Sequence, residues 1–146
     1  TAGFDPKTAE KAPDWLKGMA IGSARILKKL ENRFERRRVG DTVAPGLTYV
    51  GSSGHTPGHM CVMLSSGNER LFGGGDVFNN GVVSFTRPDW HVGSDFNRNK
   101  GAATRRKLLG MLASEKIPLI AFHTAWPGHG GVELNGNAFR LVTLSR

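Results

Sequence analysis

The stretch Gly54-His55-Thr56-Pro57-Gly58-His59 puts two histidines in a Gly/Pro loop directly before an apolar run at 60–64. Such a loop has a stiff backbone and stays near the surface, so an imidazole mounted on it is held still and accessible, as a metal ligand or a catalytic base must be. Taken alone, a loop histidine is more often a surface group or a satisfied polar residue. This one has neighbours. Residues 60–64 read as a compact strand, 65–68 as a turn and 70–72 as a second strand, a β-hairpin ending in Gly73-Gly74-Gly75-Asp76. Asp76 is thus placed just past a strand end, and a short buried strand at 119–122 runs into His123 in the same way. Imidazole and carboxylate are donors that divalent zinc accepts, and His55, Asp76 and His123, each beside a strand, could converge on one edge of a sheet. The competing reading of Asp76 is a turn or helix cap after a Gly-rich strand end.

The remainder of the chain supplies the frame. Pro13 and Asp14 suit the first turn of a helix, along which Trp15, Met19, Ile26 and Leu30 form an apolar face and Lys17, Arg25, Lys28 and Lys29 a basic one. From Phe34 the helical period is gone, and Gly40-Asp41 and Pro45-Gly46 punctuate short strands over 43–50. After an aromatic loop holding Phe78, Phe85 and Trp90, a second amphipathic helix spans 102–115, with Leu108, Met111 and Leu112 inward and Arg105, Arg106 and Lys107 largely outward. Pro118 ends it, and 132–134 with 138–144 form a closing hairpin over Asn135-Gly136-Asn137.

At 146 residues the chain is the size of one domain over 1–146, with 1–12 a flexible polar lead-in. Its 20 glycines and 7 prolines favour an α/β sheet protein with functional loops over a helical bundle. The longest apolar run, 117–122, falls far short of the ~20 residues that cross a bilayer. Cys61 is the single cysteine, which excludes an internal disulfide and a multi-cysteine zinc site. A net charge of +8 raises the question of a polyanion partner. The basic residues, however, lie on two helix faces and a strand without interleaved aromatics, so no specific nucleic-acid site is expected. Gly73-Gly74-Gly75 lacks the Lys-Ser/Thr of a phosphate loop. The chain starts with Thr1 and shows no leader, so either an upstream segment has been removed or the numbering begins inside a longer product; the cellular compartment stays open.

Five stretches, in order, carry a resemblance: Gly54-His55-Thr56-Pro57-Gly58-His59, Leu71-Phe72-Gly73-Gly74-Gly75-Asp76, Arg87-Pro88-Asp89-Trp90, Ala102-Ala103-Thr104-Arg105-Arg106-Lys107-Leu108-Leu109 and His123-Thr124-Ala125-Trp126-Pro127-Gly128. From about Phe34 onward the sequence resembles the metallo-β-lactamase-fold hydrolases, in particular the methyl parathion hydrolase and lactonase-like branch. That resemblance implies an αββα sandwich with two metal ions, zinc in the first instance. It places His55 on the first, Asp76 bridging both and His123 on the second, the three acting in catalysis through the metal. The implied reaction is hydrolysis of an ester, lactone or phosphotriester by a metal-bound hydroxide.

The family's His-x-His-x-Asp-His signature is missing: the five histidines are His55, His59, His91, His123 and His129. The chain therefore resembles the C-terminal half of the sandwich, a mixed β-sheet flanked by helices. Against about three protein ligands per zinc, each metal is one or two short. The centre would be completed by a missing segment or a second chain. The alternatives are a non-catalytic truncated fragment or a small basic protein that binds polyanions. Half a sandwich also leaves an apolar sheet face uncovered, which predicts self-association or pairing with the missing N-terminal segment through the sheet carrying 60–64. His59 is expected behind the ligands, stiffening the loop by a hydrogen bond, and His91 and His129 on the surface. Phe78, Trp90 and Trp126, with Phe85, are expected to wall an apolar pocket for a small-molecule substrate, core filling under the loops being the alternative for Phe85 and Trp90. Gly128-His129-Gly130-Gly131 departs from the residue order common in the family.

Overall fold

Alternation along 60–66 decides which side of the sheet is filled. Cys61 lies opposite Val50 and Met63 opposite Phe72, and these four share the core face; Val62 lies between Tyr49 and Gly73 on the other. The computed structural model describes residues 14–142 and leaves out the side chain of Trp15. The expected lead-in at 1–12, Pro13 and the last two residues of the expected final strand, 143–144, lie outside the described residues. The chain divides into two units, Thr1–Arg37 and Arg38–Arg146.

The first unit contains helix α1 (Asp14–Lys29), with Asp14 in its first turn paired to Lys17 at 2.8 Å and Lys28 and Lys29 in its last. Its expected apolar face is misplaced by one residue. Met19 and Ile26 are exposed, whereas Leu16 and Ala20, one turn apart, are buried.

The second unit is a seven-stranded mixed sheet in sequential order: β1 (Thr42–Ala44), β2 (Leu47–Gly51), β3 (Met60–Ser66), β4 (Glu69–Gly73), β5 (Leu119–Ile120), β6 (His129–Asn135) and β7 (Ala138–Val142). Every neighbouring pair is antiparallel except β4 and β5, which are parallel. A parallel pair needs a crossover. Here it consists of a 3-10 turn (Gly75–Val77), the short helix α2 (Val83–Thr86) and the long helix α3 (Arg98–Glu115). Helix α3 starts four residues before the predicted 102, because the Asn97 side chain accepts a hydrogen bond from the Lys100 N–H at 2.9 Å. It stops where Lys116 turns left-handed at φ 52° and returns its N–H to Leu112. Helix α2 was not anticipated. Only four residues long, it has no period to read, and Asn80 Oδ1 starts it by accepting from the N–H groups of Val82 and Val83.

The core joins Cys61, Phe72, Phe78, Phe85, Leu108, Leu109, Leu112, Leu119, Val132 and Phe139, so α3 covers one face of the sheet. Arg105, expected outward, is instead 1% exposed within this core. On the opposite face Leu47, Leu64 and Leu71 stand in register, and Leu64 and Ile120 remain 41% and 38% exposed. Strand β5 is shorter than the predicted 119–122: the Ala121 N–H still donates to the Gly128 carbonyl, the next position of the β5–β6 register, and the chain then turns at Phe122 and His123.

Burial pushes the Cys61 thiol up to about 11, with a hydrogen bond involving Ser52 partly opposing it. The folded chain therefore keeps a proton that the unfolded chain releases near 9.0. Stability is complete below 9.0 and is lost as pH rises through about 11. Urea melts across this range should show Cys61→Ala losing less stability with rising pH than the parent chain. Parallel curves for the two proteins would refute the assignment.

Candidate metal centre

The topology brings three strand ends to one edge. Gly73 and Ile120 are partners in the parallel pair, and Asp76 and His123 each lie three residues beyond them. The β2–β3 loop leaves at the same edge, because Val62 of β3 pairs with Gly73. Ligands of open α/β sheets collect beyond such carboxyl ends.

The loop at 52–59 is folded on itself and tied to α3. Ser52 N–H donates to the His59 carbonyl and Gly54 N–H to that of Thr56; Asn97 N–H donates to Gly54, Phe96 N–H to His55, and Thr104 Oγ1 to Ser53. Gly54, at φ +141°, lies so close to the first turn of α3 that a Cβ would stand 2.6 Å from Gly101 Cα. That close approach is what its glycine provides.

His55 Nε2 lies 3.7 Å from Asp76 Oδ2, and His123 Nε2 lies 3.1 Å from Asp76 Oδ1. The structure thus brings together His55, Asp76 and His123, with a different imidazole facing each oxygen of one carboxylate. Asp76 and His123 side chains are about half exposed, while that of His55 is 17% exposed. His59 sits behind them. Its Nε2 accepts the Asp76 backbone N–H at 3.1 Å, so the ring proton is on Nδ1, which donates to Ser52 Oγ at 2.7 Å. Burial, reinforced by the neighbouring His55, lowers the His59 pKa below its usual 6.5. Both ring nitrogens are already engaged. His91 and His129 are exposed.

The aromatic residues separate into two groups. Phe78 is fully buried and stacks on Phe85 with ring centroids 5.6 Å apart, so it belongs to the core and not to a pocket wall. Gly74 makes room for that ring, since a Cβ there would meet Phe78 at 2.6 Å. Trp90 and Trp126 are exposed, by 60% and 94%. A cleft of about 410 Å³ lies at the opposite strand ends, between Asn68–Arg70 and Glu115–Pro118, remote from the histidines.

Two residues absent from the sequence-based candidates stand behind His55. Asp95 Oδ1 is 3.1 Å from His55 Nδ1, and its Oδ2 accepts from Arg105 Nη2 at 3.1 Å. The Asp95 and Arg105 side chains are 1% and 2% exposed. The readable signal was in α3: Arg105 falls on the stripe Ala102, Leu108, Leu109 and Leu112, at steps of three and four.

Among the described residues no group of three or more His, Cys, Asp or Glu side chains is arranged to hold one metal ion. The two pairs have a narrower fit. Two donors on one tetrahedral zinc, each at about 2.1 Å, lie about 3.4 Å apart, and the observed separations of 3.1 and 3.7 Å bracket that value. Each pair, taken alone, therefore has the spacing of two donors on one ion.

No protein-family model matches the chain, and no curated protein matches it. Solved structures do. One is AbOPH, a hydrolase in the beta lactamase superfamily, with a TM-score of 0.86 and 25% identity over 99% of this chain and 52% of that one. Another is AidC, a dizinc quorum-quenching lactonase in complex with a product, with a TM-score of 0.85 and 27% identity over 97% of this chain and 48% of that one. A probable metal-dependent hydrolase from Staphylococcus aureus matches at a TM-score of 0.63 and 16% identity, covering 80% of this chain and 42% of that one, which speaks for the fold alone. The chain spans about half the length of the first two. Its mixed sheet and flanking helices are those of the metallo-β-lactamase fold.

Proposed function

We propose that this chain is the C-terminal half of a metal-dependent hydrolase and carries the shared part of a dinuclear centre, with Asp76 between two metal sites, His55 on one and His123 on the other. The observation that carries this reading is the pair of imidazole Nε2 atoms facing the two oxygens of one carboxylate. Zinc ions bound there would lower the pKa of water and polarise the oxygen of an ester, lactone or phosphotriester. The protein's own part is positional. The β2–β3 loop fixes His55, the His59 ring holds the Asp76 backbone N–H, and Trp90 and Trp126 offer apolar surface to a small substrate. The similarity to AbOPH and to the lactonase AidC supports the hydrolase class. The ligands still needed come, in this reading, from a segment carrying His-x-His-x-Asp-His that docks on the sheet face of Leu47, Leu64 and Leu71.

The chain alone should bind zinc weakly and turn over an activated ester poorly, because two donors per ion make an incomplete site. Adding a separately expressed segment with the four-ligand signature should raise both zinc affinity and turnover, and sedimentation should show the two pieces associating. Tight binding of two zinc ions with normal turnover by the chain alone would overturn the half-site reading. No detectable zinc binding with or without the segment would overturn the metal assignment.

A further inference from the structure

We infer that Asp95, clamped by Arg105, is the positioning residue that sets the tautomer of His55, so that its Nε2 is presented without a proton toward Asp76. Arg105 has only donors to offer. Its Nε donates to the Val77 carbonyl at 2.9 Å, Nη1 to the carbonyls of Pro88 and Trp90 at 3.0 and 3.1 Å, and Nη2 to Asp95 Oδ2 at 3.1 Å. A carboxylate paired with a guanidinium is an acceptor at its other oxygen as well. The proton between Asp95 Oδ1 and His55 Nδ1, 3.1 Å apart, therefore belongs to the ring nitrogen, and in the neutral imidazole Nε2 keeps its lone pair.

The surroundings leave Asp95 little freedom. The space around it, bounded by Ser52, His55, Val77, Gly101, Thr104 and Arg105, does not admit a water molecule beside the carboxylate. A Cβ on Gly101 would stand 2.3 Å from Asp95 Oδ2, so a glycine at this turn of α3 lets the carboxylate pass. His59 is fixed with the same proton placement by another route, the Asp76 N–H claiming its Nε2.

This inference rests on the reading of His55 as a metal ligand, but its test does not. In Asp95→Asn the Arg105 Nη2 donor selects the amide oxygen, which turns the NH₂ group toward His55 Nδ1. That nitrogen must then accept, and the ring proton moves to Nε2. Long-range ¹H–¹⁵N spectra of the metal-free chain should show His55 protonated at Nδ1 in the parent and at Nε2 in D95N. Zinc affinity measured against a chromophoric chelator should fall ~10–100-fold, the usual cost of losing an outer partner of a ligating histidine. Should D95N fail to fold, Gly101→Ala displaces the carboxylate without changing its charge and should leave His55 a mixture of tautomers. An unchanged Nδ1–H tautomer in the folded variant, or an Nε2–H tautomer in the parent, would overturn the inference. A tautomer that inverts in a chain with no zinc affinity would leave the positioning role standing and refute the metal reading instead.

Discussion

Arg105→Met should unfold most of this chain at ordinary temperature. The substitution keeps the length and apolar stem of the side chain, and removes four hydrogen bonds, three of them buried and the one to Trp90 partly so. What remains is a carboxylate 1% exposed with no cation beside it, together with the carbonyls of Val77, Pro88 and Trp90 left without this donor. Breaking a buried ion pair by removing one partner costs ~3–5 kcal/mol, and each buried polar group left unsatisfied adds ~1–3 kcal/mol. Against a total stability of ~5–15 kcal/mol for a domain, that loss takes most of what there is. Arg105→Lys should fall between, since it keeps the charge but not the planar fork that reaches Val77, Pro88, Trp90 and Asp95 together. Pairing Arg105→Met with Asp95→Leu should recover part of the loss, because an apolar pair leaves no stranded charge. Urea denaturation followed by circular dichroism measures all three. A loss below ~1 kcal/mol for Arg105→Met would mean that the cluster is hydrated and that burial here has been misjudged.

The same cluster marks the limit of what the sequence could tell. His55, Asp76 and His123 were readable because each sits beside a strand in a Gly- or Pro-marked turn, and local pattern places strand ends well. Their meeting depends on one further fact, the parallel pairing of β4 with β5, which sets Gly73 beside Ile120. The order strand, helix, strand is compatible with that pairing. Asp95 had no such mark. It lies in an irregular stretch where neither period operates, and its importance comes from Arg105 ten residues later and His55 forty residues earlier. For Arg105 two signals conflict: its charge points to solvent, whereas its position on the stripe of Leu108, Leu109 and Leu112 points inward, and the stripe prevails. Phe78 was misplaced for the converse reason. An aromatic residue two positions after Asp76 looks like pocket lining until Gly74 is seen to open a slot for its ring beneath the turn.

Asp76→Ala should reduce zinc binding more than replacement of either histidine. The carboxylate presents Oδ1 to His123 and Oδ2 to His55, so its loss removes a donor from both positions, whereas His55→Ala or His123→Ala empties only one. With two protein donors per ion at the start, a single donor then remains at each, too few to hold zinc against water. The fall in affinity should exceed the ~10–100-fold expected for an outer partner such as Asp95. Folding should be little affected, because the Asp76 side chain is 47% exposed and the Asp76 N–H that anchors His59 belongs to the backbone. The metal-free melting curve thus separates ligand loss from unfolding. Asp76→Asn makes a finer test: an amide offers one oxygen, so a chain that binds two zinc ions should keep one position and lose the other. Competition titrations and metal stoichiometry on the four variants would decide it. If His123→Ala already removes as much zinc as Asp76→Ala, the two imidazoles are not serving separate ions and the shared-carboxylate centre is the wrong description of this site.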